Sequence, residues 1–271
     1  MKLTAVIVLM LVSAARTSPA QTSLVQGAAE SPALFAPAPP RVPDPAAAPA
    51  GTGRFQPDAP PLFRSLGPDL KGFFSSDTAK ILGAFAVAGL SVRPIDTASV
   101  EDARERLPMG VASVGNLGGG LLMQAGGGFA TYLIGRTTGR PRLASLGGDL
   151  VRAQALSQLF VQGTKFAVAR QRPDASNSLS FPSGHSASAF ATATVIQQHL
   201  GWKFGAPAYA FAGLVGASRM ASSRHYLSDV VIGAGIGLAA GRTVTLHLGR
   251  ERFAIAPAPT PGGAMITFIR H

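Results

Sequence analysis

Glycines spaced four residues apart in an apolar stretch near the C-terminus constrain the fold of this chain most. Gly233, Gly237 and Gly241 lie within residues 228–246, which are otherwise mostly small and apolar. This spacing places the three glycines on one face of a helix, where the missing side chains let another helix approach closely. The segment therefore predicts a helix packed tightly against its neighbours.

Other segments also predict helices, from capping residues, apolar runs and the breaks that follow them. Their ranges are 78–90, 148–169, 186–200 and 204–217. Strand patterns are nearly absent before Phe253, and only residues 252–256 and 265–269 predict a short terminal hairpin. The expected fold is therefore all-α, a helical bundle followed by a small hairpin.

A long uncharged stretch at residues 107–135 contains two glycine triplets, at 118–120 and 126–128. Neither triplet has the pattern of a nucleotide-binding loop. We expect close helix packing, or a break between two helices, in this stretch. Residues 95–106 before it predict a polar link that carries a solvated cluster of charges.

The N-terminal residues predict export. Lys2, an apolar run at 3–12 and a small-residue cleavage site at 18–20 indicate a signal peptide over residues 1–20, with an uncleaved membrane anchor as the alternative. Residues 21–61 are rich in Ala and Pro and predict a linker. The remaining chain divides into a helical domain at 62–248 and a C-terminal segment at 249–271. The expected location is the periplasm or the cell envelope.

Composition excludes several classes of site. The chain has no cysteine, which excludes disulfides and cysteine-ligated zinc. Its net charge of +11 comes from dispersed basic residues, without the Lys/Arg block of a nucleic-acid-binding protein. Most apolar runs after the signal are shorter than the roughly 20 residues of a membrane span. We therefore favour a soluble or peripherally attached body over a polytopic one.

Three groups of polar residues can bind a phosphate-like anion. They are Lys165 with Arg172-Pro173, then Pro182-Ser183-Gly184-His185, and then Ser218-Arg219 with His225 and Asp229. Lys165, Arg172 and Arg219 can converge on a tetrahedral oxyanion, since guanidinium groups match two oxygens at a time. The peptide N–H of Gly184 and the hydroxyl of Ser183 would complete the site at a helix N-terminus.

The two histidines in these groups can divide a hydrolytic reaction. His225 and Asp229 are four residues apart, so a carboxylate can hold one imidazole nitrogen and make the other a better nucleophile. His185 can then protonate the departing oxygen and later activate water. These residues predict displacement at phosphorus through a phosphohistidine on His225.

The pattern K-x6-R-P, P-S-G-H and S-R-x5-H-x3-D resembles the signature of the type 2 phosphatidic acid phosphatase (PAP2) superfamily. That superfamily includes bacterial acid phosphatases, lipid phosphate phosphatases and vanadium haloperoxidases. All of the specified residues are present here between Lys165 and Asp229, with the same internal spacings. The resemblance implies an all-helical fold, hydrolysis of phosphate esters without a metal or other cofactor, and the residue roles given above.

Other functions compete with a phosphatase. A metal could use His185, His225 and Asp229, but the three nearby cations would repel it and attract an anion. Vanadate held on His225 would give a haloperoxidase, and the spacer and hairpin suit a non-catalytic envelope binding protein. His199, His247 and His271 are assigned no role.

The substrate of the predicted phosphatase stays open between two classes. Phe181 and Phe190 beside the motif and the small uncharged helices are compatible with a lipid phosphate. A cleaved signal peptide and short apolar runs favour a water-soluble phosphate monoester instead.

Overall fold

The structure, a computed structural model, describes residues 65–246 and two strands at 253–260 and 263–270. The signal peptide predicted at 1–20 and the linker predicted at 21–61 lie outside the described residues. The helices are α1 (Leu66–Phe73), α2 (Ser76–Val92), α3 (Asp96–Arg106), α4 (Met109–Gly118), α5 (Leu121–Thr137), α6 (Pro141–Val168), α7 (Gly184–Leu200), α8 (Trp202–Ala221) and α9 (Leu227–Val244). The body is an all-α bundle, as predicted. Strands β1 (Phe253–Thr260) and β2 (Gly263–Arg270) pair antiparallel in the C-terminal segment.

Helix α9 is the central helix of the bundle and packs against α2, α6 and α7. A methyl group at Gly237 would lie 2.1 Å from the carbonyl oxygen of Ala187 in α7, and one at Gly233 would lie 2.4 Å from that of Ser183. These separations are far below van der Waals contact, so a side chain at either position would push the two backbones apart. The close approach predicted from the four-residue glycine spacing is confirmed.

The uncharged stretch at 107–135 shows both of the features expected of it. Helix α4 ends at Gly118 and α5 begins at Leu121, so the first glycine triplet forms the break between them. A methyl group at Gly135 would lie 2.2 Å from the backbone nitrogen of Ala144. The end of α5 therefore packs backbone to backbone against the start of α6.

Two sequence predictions about helix boundaries were wrong. Helix α6 begins at Pro141 rather than at residue 148, because proline is well suited to the first turn of a helix. The segment predicted as a polar link at 95–106 is helix α3, and Asp96 at its start is buried. Val100 and Ala103 of α3 pack against Met220 and Leu227, and this contact with α8 and α9 stabilises the helix.

Large apolar side chains are exposed on several of the outer helices. They include Val87 and Leu90 on α2, Met109, Val114 and Leu117 on α4, Leu122, Phe129 and Ile134 on α5, and Leu159 and Phe166 on α6. Two helical stretches of the described chain are long and apolar enough to cross a membrane, Ser76–Arg106 and Leu227–Val244. The second is mostly buried within the bundle, as expected of a core helix, whereas the first is mostly exposed.

Candidate active site

Four helix ends bring the predicted site residues to one end of the bundle. Lys165 and Arg219 lie in the last turns of α6 and α8. Gly184 is the first residue of α7, and Asp229 lies in the first turn of α9. The sequence-distant motif groups therefore meet where two helices end and two begin.

Three cations share this end of the bundle. Burial lowers the pKa of Lys165 to about 8, and the charges of Arg172 and Arg219 add to this effect. Burial also lowers the pKa of Arg219 to about 10, together with repulsion from Arg172 and Arg224. The Nζ atom of Lys165 donates to the carbonyl of Leu179 at 2.6 Å. Mutual repulsion of this kind is relieved by a bound anion.

The two arginines also present buried hydrogen-bond donors. The Nε atoms of Arg172 and Arg219 are buried and have no hydrogen-bond partner among the described residues. Arg219 is held from its other side, since its Nη1 donates to Oδ1 of Asn116 in α4 at 2.8 Å. Asn116 is fixed in turn by donating to Oγ of Ser222 at 2.7 Å. Buried donors of this sort are usually satisfied, so they indicate an oxygen-rich ligand.

The Pro-Ser-Gly-His motif forms the start of α7. The Oγ of Ser183 accepts from the backbone nitrogen of Ser186 at 3.4 Å and caps the helix. The backbone nitrogen of Ser183 donates to the carbonyl of Asp229 at 3.0 Å, which joins the motif to α9. Burial lowers the pKa of His185 to about 4, and the charges of Arg219, His225, Arg172 and Lys165 contribute. The motif thus places a helix N-terminus and a neutral imidazole beside the cations.

His225 is buried in the turn before α9, with only 2% of its surface exposed. Its Nδ1 lies 2.6 Å from the carbonyl oxygen of Ser180. A carbonyl only accepts, so Nδ1 carries the hydrogen and the lone pair is on Nε2. Burial is also the main cause that lowers the pKa of this imidazole. His225 is therefore held as a neutral imidazole of one tautomer, with the lone pair on Nε2.

Asp229 is close to His225 but does not hold it as the sequence predicts. The distance from Nδ1 of His225 to Oδ2 of Asp229 is 3.8 Å, too long for a hydrogen bond. The Ser180 carbonyl takes the place expected of the carboxylate. Asp229 is completely buried and acts on the imidazole through its charge.

Sequence reasoning missed the residues that bind Asp229. The hydroxyl of Ser180 donates to Oδ2 at 2.5 Å, the backbone nitrogen of Tyr226 donates to the same oxygen at 2.9 Å, and Arg170 donates to Oδ1 at 2.7 Å. Arg170 is a third basic residue between Lys165 and Pro173, and this is the sequence signal that could have identified it. Ser180 carried no such signal.

Within the described residues, a second buried ionic cluster lies in the first half of α6, away from the candidate site. Arg152 bonds Asp69 at 2.9 Å and also contacts Asp149, which lies 2.8 Å from Nε2 of His199. His199 is therefore a buried structural residue rather than part of the site. Within residues 65–246, no three His, Cys, Asp or Glu side chains are placed to share a metal ion.

Residues 146–252 match a family model described as the PAP2 superfamily, which is less than half of the chain. The matched PAP2 segment contains all three motif groups from Lys165 to Asp229, so the resemblance seen in the sequence is confirmed. Asp96 and Asn116, which contact the site from α3 and α4, lie outside this segment.

Several curated and solved proteins are also similar to this chain. The chain is 38% identical over 101 residues to a lipid A 1-phosphatase of Porphyromonas gingivalis, a match that covers 35% of this chain and 23% of that protein. The match thus spans less than a quarter of that relative's length. The fold is also similar to the crystal structure of Aquifex aeolicus LpxE, with 21% identity and a TM-score of 0.44 over 55% of this chain and 94% of that one.

The chain is also similar to the crystal structure of a transmembrane PAP2 type phosphatidylglycerolphosphate phosphatase from Bacillus subtilis. Its identity to this chain is 22% and its TM-score 0.38, over 68% of this chain and 92% of that one.

Proposed function

We propose that this chain is a metal-independent phosphatase that hydrolyses lipid phosphate monoesters at the bacterial cell envelope. The proposal depends on the Nε donors of Arg172 and Arg219, which are buried and have no partner within the described part of the chain. They share one end of the bundle with Lys165, whose pKa is lowered to about 8. Such a concentration of buried cations is unfavourable by itself and becomes favourable around a phosphate dianion. The same positive charge disfavours a divalent metal at His185 and His225.

The reaction follows from the two imidazoles. Nε2 of His225 attacks phosphorus while the bond to the ester oxygen breaks, and His185 donates a proton to that oxygen as the alcohol leaves. The phosphohistidine is cationic at the ring, and the buried carboxylate of Asp229 offsets this charge. His185, now neutral, then removes a proton from water as the water attacks phosphorus. Inorganic phosphate leaves and His225 regains its lone pair.

His185 must be protonated in the first step, although burial and nearby cations lower its pKa to about 4. A phosphate dianion bound between those cations would cancel their repulsion and raise the pKa of His185 again. Substrate binding would therefore supply the proton donor. After it donates this proton His185 is neutral, as the later activation of water requires.

Two features beside the site support a lipid substrate over a soluble ester. Phe166, the residue after Lys165, is 75% exposed. Phe74, which follows the end of α1, is 76% exposed, and its ring centre lies 5.8 Å from that of Phe160 in α6. An apolar cavity of about 280 Å³ lies between α1, α2, α6 and α9, and its lining includes Thr164 and Phe181. These two residues directly precede Lys165 and Pro182, so the cavity adjoins the phosphate site and would accept an acyl chain.

Exposed apolar side chains on α2, α4 and α5 support attachment to a membrane. Monomeric soluble proteins seldom expose this much apolar surface. The name of the P. gingivalis relative adds a lipid A phosphate to the substrates worth testing. We further propose that residues 1–20 direct the chain to the periplasmic side of the envelope.

Activity of the detergent-purified full chain on lipid and soluble phosphates tests this proposal. Lipid A phosphate, phosphatidic acid and a chromogenic phosphomonoester would be compared in excess chelator, with His225→Asn as the inactive control. We expect hydrolysis that resists chelation and is fastest on a lipid. Activity that disappears in chelator and returns with one metal would contradict the mechanism, and a preference for the soluble ester would contradict the substrate class.

A further inference from the structure

We propose that Arg170 and Asp96 are positioning residues for the Asp229–His225 pair, through an ionic brace that reaches from the start of α3 to the start of α9. This brace consists of Arg170, Asp96 and Ser228. Neither charged residue is among the specified residues of the three motif groups, and the inference rests on the proposed function.

The first half of the brace fixes the carboxylate of Asp229. Nη1 of Arg170 donates to Oδ1 of Asp229 at 2.7 Å and to Oγ of Ser228 at 2.8 Å. The hydroxyl of Ser180 and the backbone nitrogen of Tyr226 bind the other oxygen, Oδ2. With donors on both oxygens, the plane of the carboxylate is set, and Oδ2 is kept 3.8 Å from Nδ1 of His225.

The second half of the brace fixes the guanidinium of Arg170. Its Nη2 donates to Oδ2 of Asp96 at 2.8 Å, and its plane lies over the ring of Tyr226 at 4.1 Å from the ring centre. Asp96 is itself held, because Ser228 donates to it through the backbone nitrogen at 2.8 Å and through the hydroxyl at 2.7 Å. Ser228 thus bonds both charged members, which closes the brace into a ring of hydrogen bonds.

Charge explains why a brace of this composition suits the reaction. One guanidinium lies between two carboxylates, Asp96 and Asp229, so the group carries one net negative charge beside His225. That charge would stabilise the ring of His225 when it becomes cationic as a phosphohistidine. Arg170 differs in this from Arg172 and Arg219, whose Nε donors have no partner among residues 65–246. The guanidinium of Arg170 is paired with the carboxylates of Asp96 and Asp229. We therefore assign it to positioning Asp229 and not to binding phosphate.

A buried arginine between two carboxylates could instead serve folding alone, and the chain contains a matched control for that role. Arg152 is bound to Asp69 and Asp149 in the same manner. It precedes Lys165 by thirteen residues in α6, which is about 20 Å along the helix axis. Arg152 therefore tests what loss of such a cluster does to stability far from the site.

The experiment compares Arg170→Lys with Arg152→Lys in the detergent-purified full chain. Each substitution keeps the charge and removes the planar fork. We expect Arg170→Lys to lower kcat by about 10- to 100-fold, the range found when partners that orient metal-bound histidines are removed. KM and the affinity for inorganic phosphate as a competitive inhibitor should be nearly unchanged, because Lys165, Arg172 and Arg219 are intact. Arg152→Lys should lower the melting temperature and leave kcat nearly unchanged.

Asp96→Asn provides a second test if Arg170→Lys does not fold. Asparagine keeps an oxygen for the backbone nitrogen of Ser228 but loses the ion pair with Arg170, so kcat should fall while inorganic phosphate still binds. The positioning role is overturned if either folded variant keeps the wild-type kcat, or if kcat and the affinity for inorganic phosphate fall together. Absence of hydrolysis by the wild-type chain would instead overturn the proposed function, so the two failures are distinguishable.

Discussion

The pKa of His185 should depend strongly on whether the phosphate site is occupied. Burial and the charges of Arg219, His225, Arg172 and Lys165 lower this pKa to about 4. At pH 6.5 an imidazole of ordinary pKa is about half protonated, whereas one with a pKa near 4 is only about 0.3% protonated. The protonated fraction available for catalysis would thus rise on the order of 100-fold if a bound phosphate restored the ordinary pKa.

Inorganic phosphate is the perturbation that tests this expectation, and histidine-labelled NMR of the detergent-purified chain is the assay. His185→Asn assigns the signal. We expect the titration of His185 to begin well below pH 6 without phosphate and to move toward its ordinary range when phosphate is added. A titration near pH 6.5 without phosphate, or one that phosphate leaves in place, would refute the reasoning.

The pH dependence of the reaction gives a kinetic form of the same prediction. Values of kcat/KM report the free enzyme and values of kcat report the substrate complex. Because His185 must be protonated to donate, the basic limb of kcat should lie at higher pH than that of kcat/KM. The acid limb reflects protonation of His225, whose pKa is lowered by burial, so activity should persist at acidic pH.

Three further predictions concern binding and stability. Asn116→Ala removes the acceptor that holds Arg219, so KM and the dissociation constant of orthovanadate should rise about tenfold. This change equals about 1.4 kcal/mol, close to the contribution of a hydrogen bond to a charged group. An unchanged affinity would count against this role of Asn116. Gly237→Ala would place a methyl group 2.1 Å from the carbonyl oxygen of Ala187 and should lower the free energy of unfolding by about 1–3 kcal/mol. The control Gly163→Ala meets no atom within 4 Å and should not destabilise the chain. Equal melting temperatures of the two variants would contradict the close packing at Gly237. Orthovanadate at 100 times its dissociation constant should increase the free energy of unfolding by about 2.7 kcal/mol and so raise the melting temperature. An unchanged melting temperature would argue against an anion site.

The parts of the fold that the sequence predicted are those set by local pattern. The four-residue spacing of Gly233, Gly237 and Gly241 predicted the contact between α9 and its neighbours, because helical period and side-chain size are both visible in the sequence. The break at 118–120 was visible for the same reason. The start of α6 and the existence of α3 were not, since both depend on contacts with distant helices.

The residues of the candidate site also fall into those that local sequence patterns predict and those that only the fold brings together. The motif groups pointed to Lys165, Arg172, Arg219 and both histidines as candidate site residues, because their internal spacings are short. Asp96, Asn116 and Ser180 could not be found in that manner. Asp96 is 132 residues from Ser228 and Asn116 is 103 residues from Arg219, and neither spacing has any local signature. The tautomer of His225 is fixed by the carbonyl of Ser180, which is a backbone group. Every residue has such a group, so the identity of the side chains could not predict this contact.

The covalent step is the central claim, and trapping the intermediate tests it most directly. The detergent-purified chain would be mixed with a substrate labelled with radioactive phosphate and quenched in alkaline denaturant, in which phosphohistidine is stable. We predict that the label remains on the wild-type chain, maps to the peptide containing His225, is released by acid and is absent from His225→Asn. Rapid hydrolysis by the wild type without any retained label, or full activity in His225→Asn, would contradict a phosphohistidine mechanism at this site.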